Sequence, residues 1–280
     1  MSKKKIGIVL GGGGARGFAH FGLLKVFEQS NIHFDMIAGT SMGGLAAAAW
    51  ASQRGMDYYL QHIDQVSKPR ELIKLLDPSP QRRGLVQAAH LNKLLERIFS
   101  PITTFSALNV PLILNAVDVK SGKEIQMTEG DLLSALMATT AVPGIFPLVE
   151  REGKQLIDGG VLNNLPVDAL RAAGADVIIA VDVQYDPYED LPLYALPKKP
   201  RWVSSVPSYF LELYWAEIIM TREMTNHRLQ IGQPELVIRP PIPPDLTAFL
   251  GFTRAREAIN AGETAAINSL PNILALIGDN

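Results

Sequence analysis

The run Lys5-Ile-Gly-Ile-Val-Leu10 followed by Gly11-Gly-Gly-Gly-Ala-Arg-Gly-Phe-Ala-His-Phe-Gly-Leu-Leu-Lys-Val-Phe27, and then Asp35-Met-Ile-Ala-Gly-Thr-Ser-Met-Gly-Gly-Leu45, decides the fold class. Lys5–Leu10 is a short, continuous apolar run stopped by glycine, the pattern of a strand buried on both faces of a parallel sheet. From Gly17 to Ser30 the apolar residues Phe18, Phe21, Leu24 and Phe27 recur every third position, which predicts an amphipathic helix. Asp35–Ala38 predicts a second strand, and the alanine-rich stretch from Leu45 to Gln53 a second helix. Strand, helix, strand, helix in so short a span opens a parallel α/β sheet.

Working outward, residues 57–100 predict helices broken at Pro69 and at Asp77-Pro-Ser-Pro80. Pro111–Val119 and Glu124–Thr128 predict two strands joined across Ser121-Gly122, and Asp131–Thr140 a helix ending before Pro143. Gln155-Leu-Ile157 predicts a short strand, with Pro166 in the first turn of the next helix, where a missing N–H costs nothing. Asp176–Val183 predicts another buried strand, followed by a loop over 184–208 with five prolines. A helix over Ser208–Gln230, a strand over Glu235–Arg239 and a closing helix over Thr253–Leu270 complete the chain. No repeat and no linker divides it. Residues 1–280 are expected to form one domain, with a core over about 5–185 and a C-terminal flap and helices over 186–280.

Composition narrows the function. The chain is 47% hydrophobic and 19% charged, too apolar for disorder. Its formal net charge of −2 offers no electrostatic reason to expect nucleic acid. The absence of cysteine removes disulfides, thiolate nucleophiles and cysteine zinc sites. No run reaches the ~18 apolar residues that a membrane-spanning helix needs. Met1-Ser-Lys-Lys-Lys5 is basic, but the apolar run behind it breaks into glycines too soon for a signal peptide, so the N-terminus reads as mature and cytoplasmic.

Three segments bear chemistry. Gly12-Gly-Gly-Ala-Arg-Gly17 has the form G-x-G-x-x-G between a strand and a helix. A dinucleotide site would also want an acidic residue at the end of the second strand, and Asp35 opens that strand instead. A structural tight turn and an anion-binding loop, with several backbone N–H groups converging at a helix N-terminus, are the other readings. Gly39-Thr-Ser-Met-Gly43, between the second strand and second helix, is a G-x-S-x-G nucleophile elbow. Its alternative is a glycine-rich turn with a serine cap. Asp158-Gly-Gly160 closes a short strand and could be a simple Asx-turn. If Ser41 used a histidine base, the candidates would be His20, His33, His62, His90 and His227. The order Ser41, Asp158, His227 would match an α/β-hydrolase triad. However, His227 falls near the end of a predicted helix, where a surface histidine suits the dipole, and His20 reads as a partly exposed helix residue.

These three segments, in this order, resemble the patatin-like phospholipase family, lipid acyl hydrolases with a Ser–Asp dyad. Ala141-Val-Pro-Gly-Ile-Phe-Pro147 and Asp158-Gly-Gly-Val-Leu-Asn-Asn-Leu-Pro166 are similar to the bacterial branch related to neuropathy-target-esterase catalytic domains. The resemblance implies a three-layer α/β/α fold around a mainly parallel central sheet. It implies Ser41 as nucleophile and Asp158 as its partner. It places Gly12, Gly13, Gly14, Arg16 and Met42 in or beside the oxyanion hole, with Gly17, Gly39, Gly43, Gly159 and Gly160 as motif glycines. No metal or other cofactor is implied. The expected substrate is a fatty-acyl ester or lysophospholipid, cleaved through an acyl-enzyme by a cytoplasmic protein with peripheral contact at the inner membrane face. Acyl transfer to an alcohol or thioester, and a weakly active regulatory protein keeping the fold, are the alternatives. The oligomeric state stays open. The apolar stripe over 202–231 (Trp202, Val206, Tyr209, Phe210, Leu213, Tyr214, Ile218 and Met224) is expected to be a packed helix, a flap over Ser41 or a dimer contact.

Overall fold

The computed structural model describes residues 4–75, 88–184, 208–249 and 251–278. The Pro-rich loop expected over 184–208 lies, apart from its ends, outside the described residues, as do Trp202 and Val206 of the apolar stripe.

The first strand, β1 (Ile6–Leu10), is buried along its whole length. After a tight turn over Gly14–Gly17 comes α1 (Phe18–Gln29), then β2 (Met36–Gly39) and α2 (Met42–Ala51). The helices α3 (Met56–Val66), α4 (Pro69–Leu75) and α5 (Ala88–Phe99) follow. Next are β3 (Leu112–Asp118), β4 (Lys123–Met127), α6 (Leu132–Thr139), β5 (Val149–Arg151) and β6 (Lys154–Asp158). The chain continues through α7 (Val167–Ala172), β7 (Val177–Val181), α8 (Ser208–Gly232), β8 (Leu236–Ile238) and α9 (Ala255–Ile277).

The strands make one sheet in the order β5-β6-β3-β2-β1-β7-β8, with β4 also on β3. β3, β2, β1, β7 and β8 run parallel; β4 and β6 each pair antiparallel with β3, and β5 pairs antiparallel with β6. Alternation along the strands supplies two faces. Ile8, Leu10, Ile179 and Val181 join the core formed with α1, α2, α6 and α9. Val9, Ala38, Ile178 and Ala180 join a second core with Val167 and Leu170 of α7. The outcome is the expected helix–sheet–helix layering, because strands apolar on both faces must be covered on both.

The helices part at Pro69 as expected: α3 ends at Val66 and Pro69 opens α4, where its fixed φ suits a first turn. Three other local readings change. Pro166 is the residue before α7, one position earlier than expected. α9 runs through Pro271 to Ile277, anchored beyond the proline by the fully buried Ile273. β5 went unread because three residues, two of them charged, show no apolar run. It is held against β6 by a hairpin whose turn residues Glu152 and Gly153 both have positive φ (51° and 74°).

The lengths of β2 and β3 set the site. Leu114 pairs with Gly39, the end of β2, on one edge of β3 and with Met127 of β4 on the other. β4 holds its edge through Asp118, so β6 must occupy the β2 edge beyond Gly39, where Asp158 pairs with Ala116. Asp158 thus enters the space just above the end of β2, into which the chain turns at Thr40 and Ser41.

Candidate active site

The turn at Ser41 is sharp. Ser41 has φ 53° and ψ −126° and caps α2. Such a backbone costs a non-glycine residue on the order of 1–3 kcal/mol and persists only where the surroundings enforce it. Here Thr40 N–H donates to Leu10 O (3.1 Å), Ser41 N–H to Thr139 Oγ1 (3.0 Å) and Leu45 N–H to Ser41 O (3.1 Å). A Cβ on Gly43 would overlap the carbonyl oxygens of Leu10 and Gly11, so only glycine lets α2 start this close to β1.

Ser41, Asp158, Gly12, Gly13, Gly14, Arg16 and Gly160 line one cavity of about 100 Å³. Its apolar wall includes Val142, Pro143, Val161, Ile218 and Phe249. Asp158 is buried, and its Oδ1 accepts from Gly160 N–H at 2.8 Å. Oδ2 makes no hydrogen bond of ordinary geometry, although the Ser41 hydroxyl is close enough to favour its anion. Such contacts commonly tighten only when substrate binds. Burial pushes the carboxyl up to about 7, with the Ser41 hydroxyl and Gly160 N–H opposing the rise and the charge of Glu217 adding to it.

The glycine loop differs in detail from expectation. Gly12 N–H, expected to face an oxyanion, donates to Asn164 O (3.1 Å), while Asn164 Nδ2 returns a bond to Gly12 O (3.0 Å). The N–H groups of Gly13, Gly14 and Met42 have no acceptor among the described residues. Arg16 lies beside the loop, but its Nε donates to Val183 O (2.7 Å) and Nη1 to Leu246 O (3.3 Å), so its guanidinium anchors the loop to the 243–246 turn. Gly17 packs on Met42, and Gly159 on Asn115, as spacers at close approaches.

The histidines separate. His20 is fully buried, not partly exposed. Its Nε2 bonds Gly11 O at 2.7 Å, and burial pushes its pKa down to about 4. A carbonyl can only accept, so Nε2 carries the proton. His227 is exposed on α8 and does not line the cavity.

Sequence reasoning assigned nothing to four residues of the site, three of which join its parts. Asn115, fully buried on β3, accepts from Thr40 Oγ1 (2.7 Å) and donates to Asn163 O (2.6 Å). Asn163 N–H donates to Gly159 O (2.8 Å), and Asn164 holds Gly12. The elbow, the aspartate turn and the glycine loop therefore meet at Asn115, Asn163 and Asn164. A lone asparagine inside Leu112-Ile-Leu-Asn-Ala-Val117 was the available signal, because a polar residue in a buried strand needs partners. Glu217, on the cavity wall from α8, is the fourth.

A family model described as patatin-like phospholipase matches residues 8–171. The chain belongs to the patatin-like phospholipase family. It is 32% identical over 207 residues to the neuropathy target esterase sws of Drosophila melanogaster, covering 72% of this chain and 14% of that protein. It is 31% identical over 182 residues to an uncharacterised NTE family protein of Mycobacterium bovis, covering 65% of this chain and 50% of the relative. The chain thus spans half or less of the length of these curated relatives. Among solved structures, VipD from Legionella pneumophila superposes with a TM-score of 0.61 at 12% identity, covering 97% of this chain and 67% of VipD. Human GIVD cytosolic phospholipase A2, in complex with methyl gamma-linolenyl fluorophosphonate, gives 0.57 at 10% identity, covering 98% and 59%. At such identities the likeness is one of fold. Among the described residues of this patatin-like chain, no helix is long and apolar enough to cross a membrane.

Proposed function

We propose that this patatin-like chain is a serine acyl hydrolase that releases fatty acid from lysophospholipids or related fatty-acyl esters. In this reading residues 1–280 act as one catalytic domain, working in the cytoplasm at the inner membrane face. The observation that carries it is the meeting of a strained Ser41, a buried Asp158 and a glycine loop in one apolar-walled cavity.

Asp158 takes the Ser41 hydroxyl proton as Oγ bonds to the ester carbonyl carbon. The carbonyl oxygen becomes an oxyanion facing the N–H groups of Gly13, Gly14 and Met42, at the start of α2 where the helix dipole favours negative charge. Collapse breaks the ester C–O bond, and the alcohol leaves with the proton from Asp158. Water then adds to the acyl-enzyme, giving its proton to Asp158, and the fatty acid departs as Ser41 Oγ is reprotonated. A carboxyl poised at about 7 is half ionised at neutral pH, which suits a base that must also return its proton.

Labelling with a fluorophosphonate probe, alongside turnover of p-nitrophenyl esters of graded chain length, tests the reading. Modification is expected at Ser41. Labelling elsewhere, or full turnover after Ser41→Ala, would overturn it.

A further inference from the structure

Charge is unevenly spread along the chain. Residues 66–100 hold seven Lys or Arg and three Asp or Glu, whereas the remainder holds nineteen and twenty-five. The described part of this basic stretch folds as α4 and α5, which wall a cleft of about 450 Å³. Lys74, Lys93, Arg97 and His90 line it, with Glu71 as its acidic member. Glu71 is committed to Lys74 (2.6 Å), and no carboxylate reaches ion-pair distance of Lys93 or Arg97 among the described residues. Beside Lys74, Ile73 projects with 65% of its surface exposed.

The placement of the cleft follows from the helix directions. α1 and α2 both run away from the strand ends that carry the glycine loop and Ser41. At the far end Glu28, late in α1, accepts from Met56 N–H at the start of α3 (3.0 Å). α3 then returns, and Asp64 near its end pairs with Arg256 (2.5 Å) at the start of α9. That start adjoins the glycine loop, where Ala15 N–H donates to Ala248 O (2.8 Å). α4 therefore emerges at the edge of the molecule that holds Ser41.

We propose that the α4–α5 cleft docks this protein on an anionic lipid bilayer, with the Ser41 edge turned toward the membrane. The proposal rests on the acyl-hydrolase reading for its choice of a lipid surface. A cationic cleft, in a chain otherwise acidic, matches a layer of anionic headgroups, and Ile73, exposed next to Lys74 outside the cleft lining, offers an apolar contact to the hydrocarbon beneath. Attraction of this kind acts within a Debye length, so the cations must lie on the approaching face.

Sedimentation of the full chain with vesicles tests it. One set is phosphatidylcholine alone, and the other contains about one-third phosphatidylglycerol, with each basic residue at an anionic surface expected to add about fivefold in binding. Binding to the anionic vesicles only, falling as salt is raised, is the expected result. The double variant Lys93→Gln/Arg97→Gln should bind about twenty-five-fold more weakly. Lys4→Gln/Lys5→Gln, at the amino end of β1 on the opposite edge, should bind as wild type. Hydrolysis of a soluble short-chain ester should be unchanged in the cleft variant, while hydrolysis of lysophospholipid in anionic vesicles falls. Equal binding to both vesicle types, or a cleft variant that binds as wild type, would overturn the proposal. So would a shift of single-stranded oligonucleotide without vesicle binding, which would assign the cleft to nucleic acid. Sedimentation needs no turnover: a wild type inactive on every ester would remove the hydrolase reading, and the vesicle result would still decide the docking.

Discussion

At the residue scale, Ser41 holds a backbone that only its neighbours impose, so its side chain and its strain can be tested separately. Ser41→Ala is expected to lower ester turnover by several orders of magnitude with little change in thermal stability. Ser41→Gly should be equally inactive yet more stable than the alanine variant, since glycine occupies φ 53° without the steric cost. Differential scanning calorimetry of the pair checks this, and equal melting temperatures would remove the strain argument. For Asp158, the active form of a general base is the anion, so kcat/KM should rise with pH through about 7. Asp158→Asn should lose at least about a hundredfold in kcat together with this rise. His227→Ala should stay within about threefold of wild type. A dead His227→Ala beside an active Asp158→Asn would restore the triad.

At the element scale, α8 is fastened to the sheet by charge. Arg222 Nη1 meets Asp182, just beyond β7, at 2.6 Å, and both side chains are buried. Arg239, after β8, approaches the same carboxylate at 3.3 Å. Breaking a buried pair by removing one partner leaves an uncompensated charge, which costs on the order of 3–5 kcal/mol. Arg222→Met should therefore destabilise the protein by about 3 kcal/mol in urea unfolding, the low end because Arg239 remains. Adding Asp182→Asn should recover part of that loss. Because α8 also brings Glu217, Ile218 and Thr221 to the cavity, the single variant should raise KM as well. The α8 residues were legible as a helix from their spacing. Their tie to Asp182 was not, since the partners stand forty residues apart with nothing periodic between them.

At the scale of the whole molecule, the raised carboxyl of Asp158 makes global stability depend on pH in an unusual direction. Between its ordinary value of 3.8 and about 7, the folded state holds a proton that the unfolded state has released. Stability from this group is complete below 3.8 and is lost as pH rises through about 7. Asp158→Asn, which carries no charge, should therefore be more stable than wild type above pH 7, with the difference vanishing in acid. Thermal melts across that range check the sign. A wild type that gains stability relative to the asparagine variant as pH rises would show that the buried carboxylate is better solvated than its surroundings allow.

Much of this protein could be read from local pattern. Lys5–Leu10 and Asp176–Val183 are apolar without alternation, so both had to be strands covered on two faces. The glycine loop and Gly39–Gly43 each sit between a strand and a helix, which local periodicity reveals. β5 escaped because its only support is its partner strand. Asp158 comes to Ser41 through strand register alone: β3 outruns β2, and β6 fills the vacated edge. The occupation of Gly12 N–H by Asn164, the burial of His20 and the joining of three segments through Asn115 depend on contacts between residues far apart in sequence. Local pattern records which backbone a segment prefers and which face it must bury. Which polar group meets which is decided by the packing of the sheet, because nearly all buried donors and acceptors find their partners there.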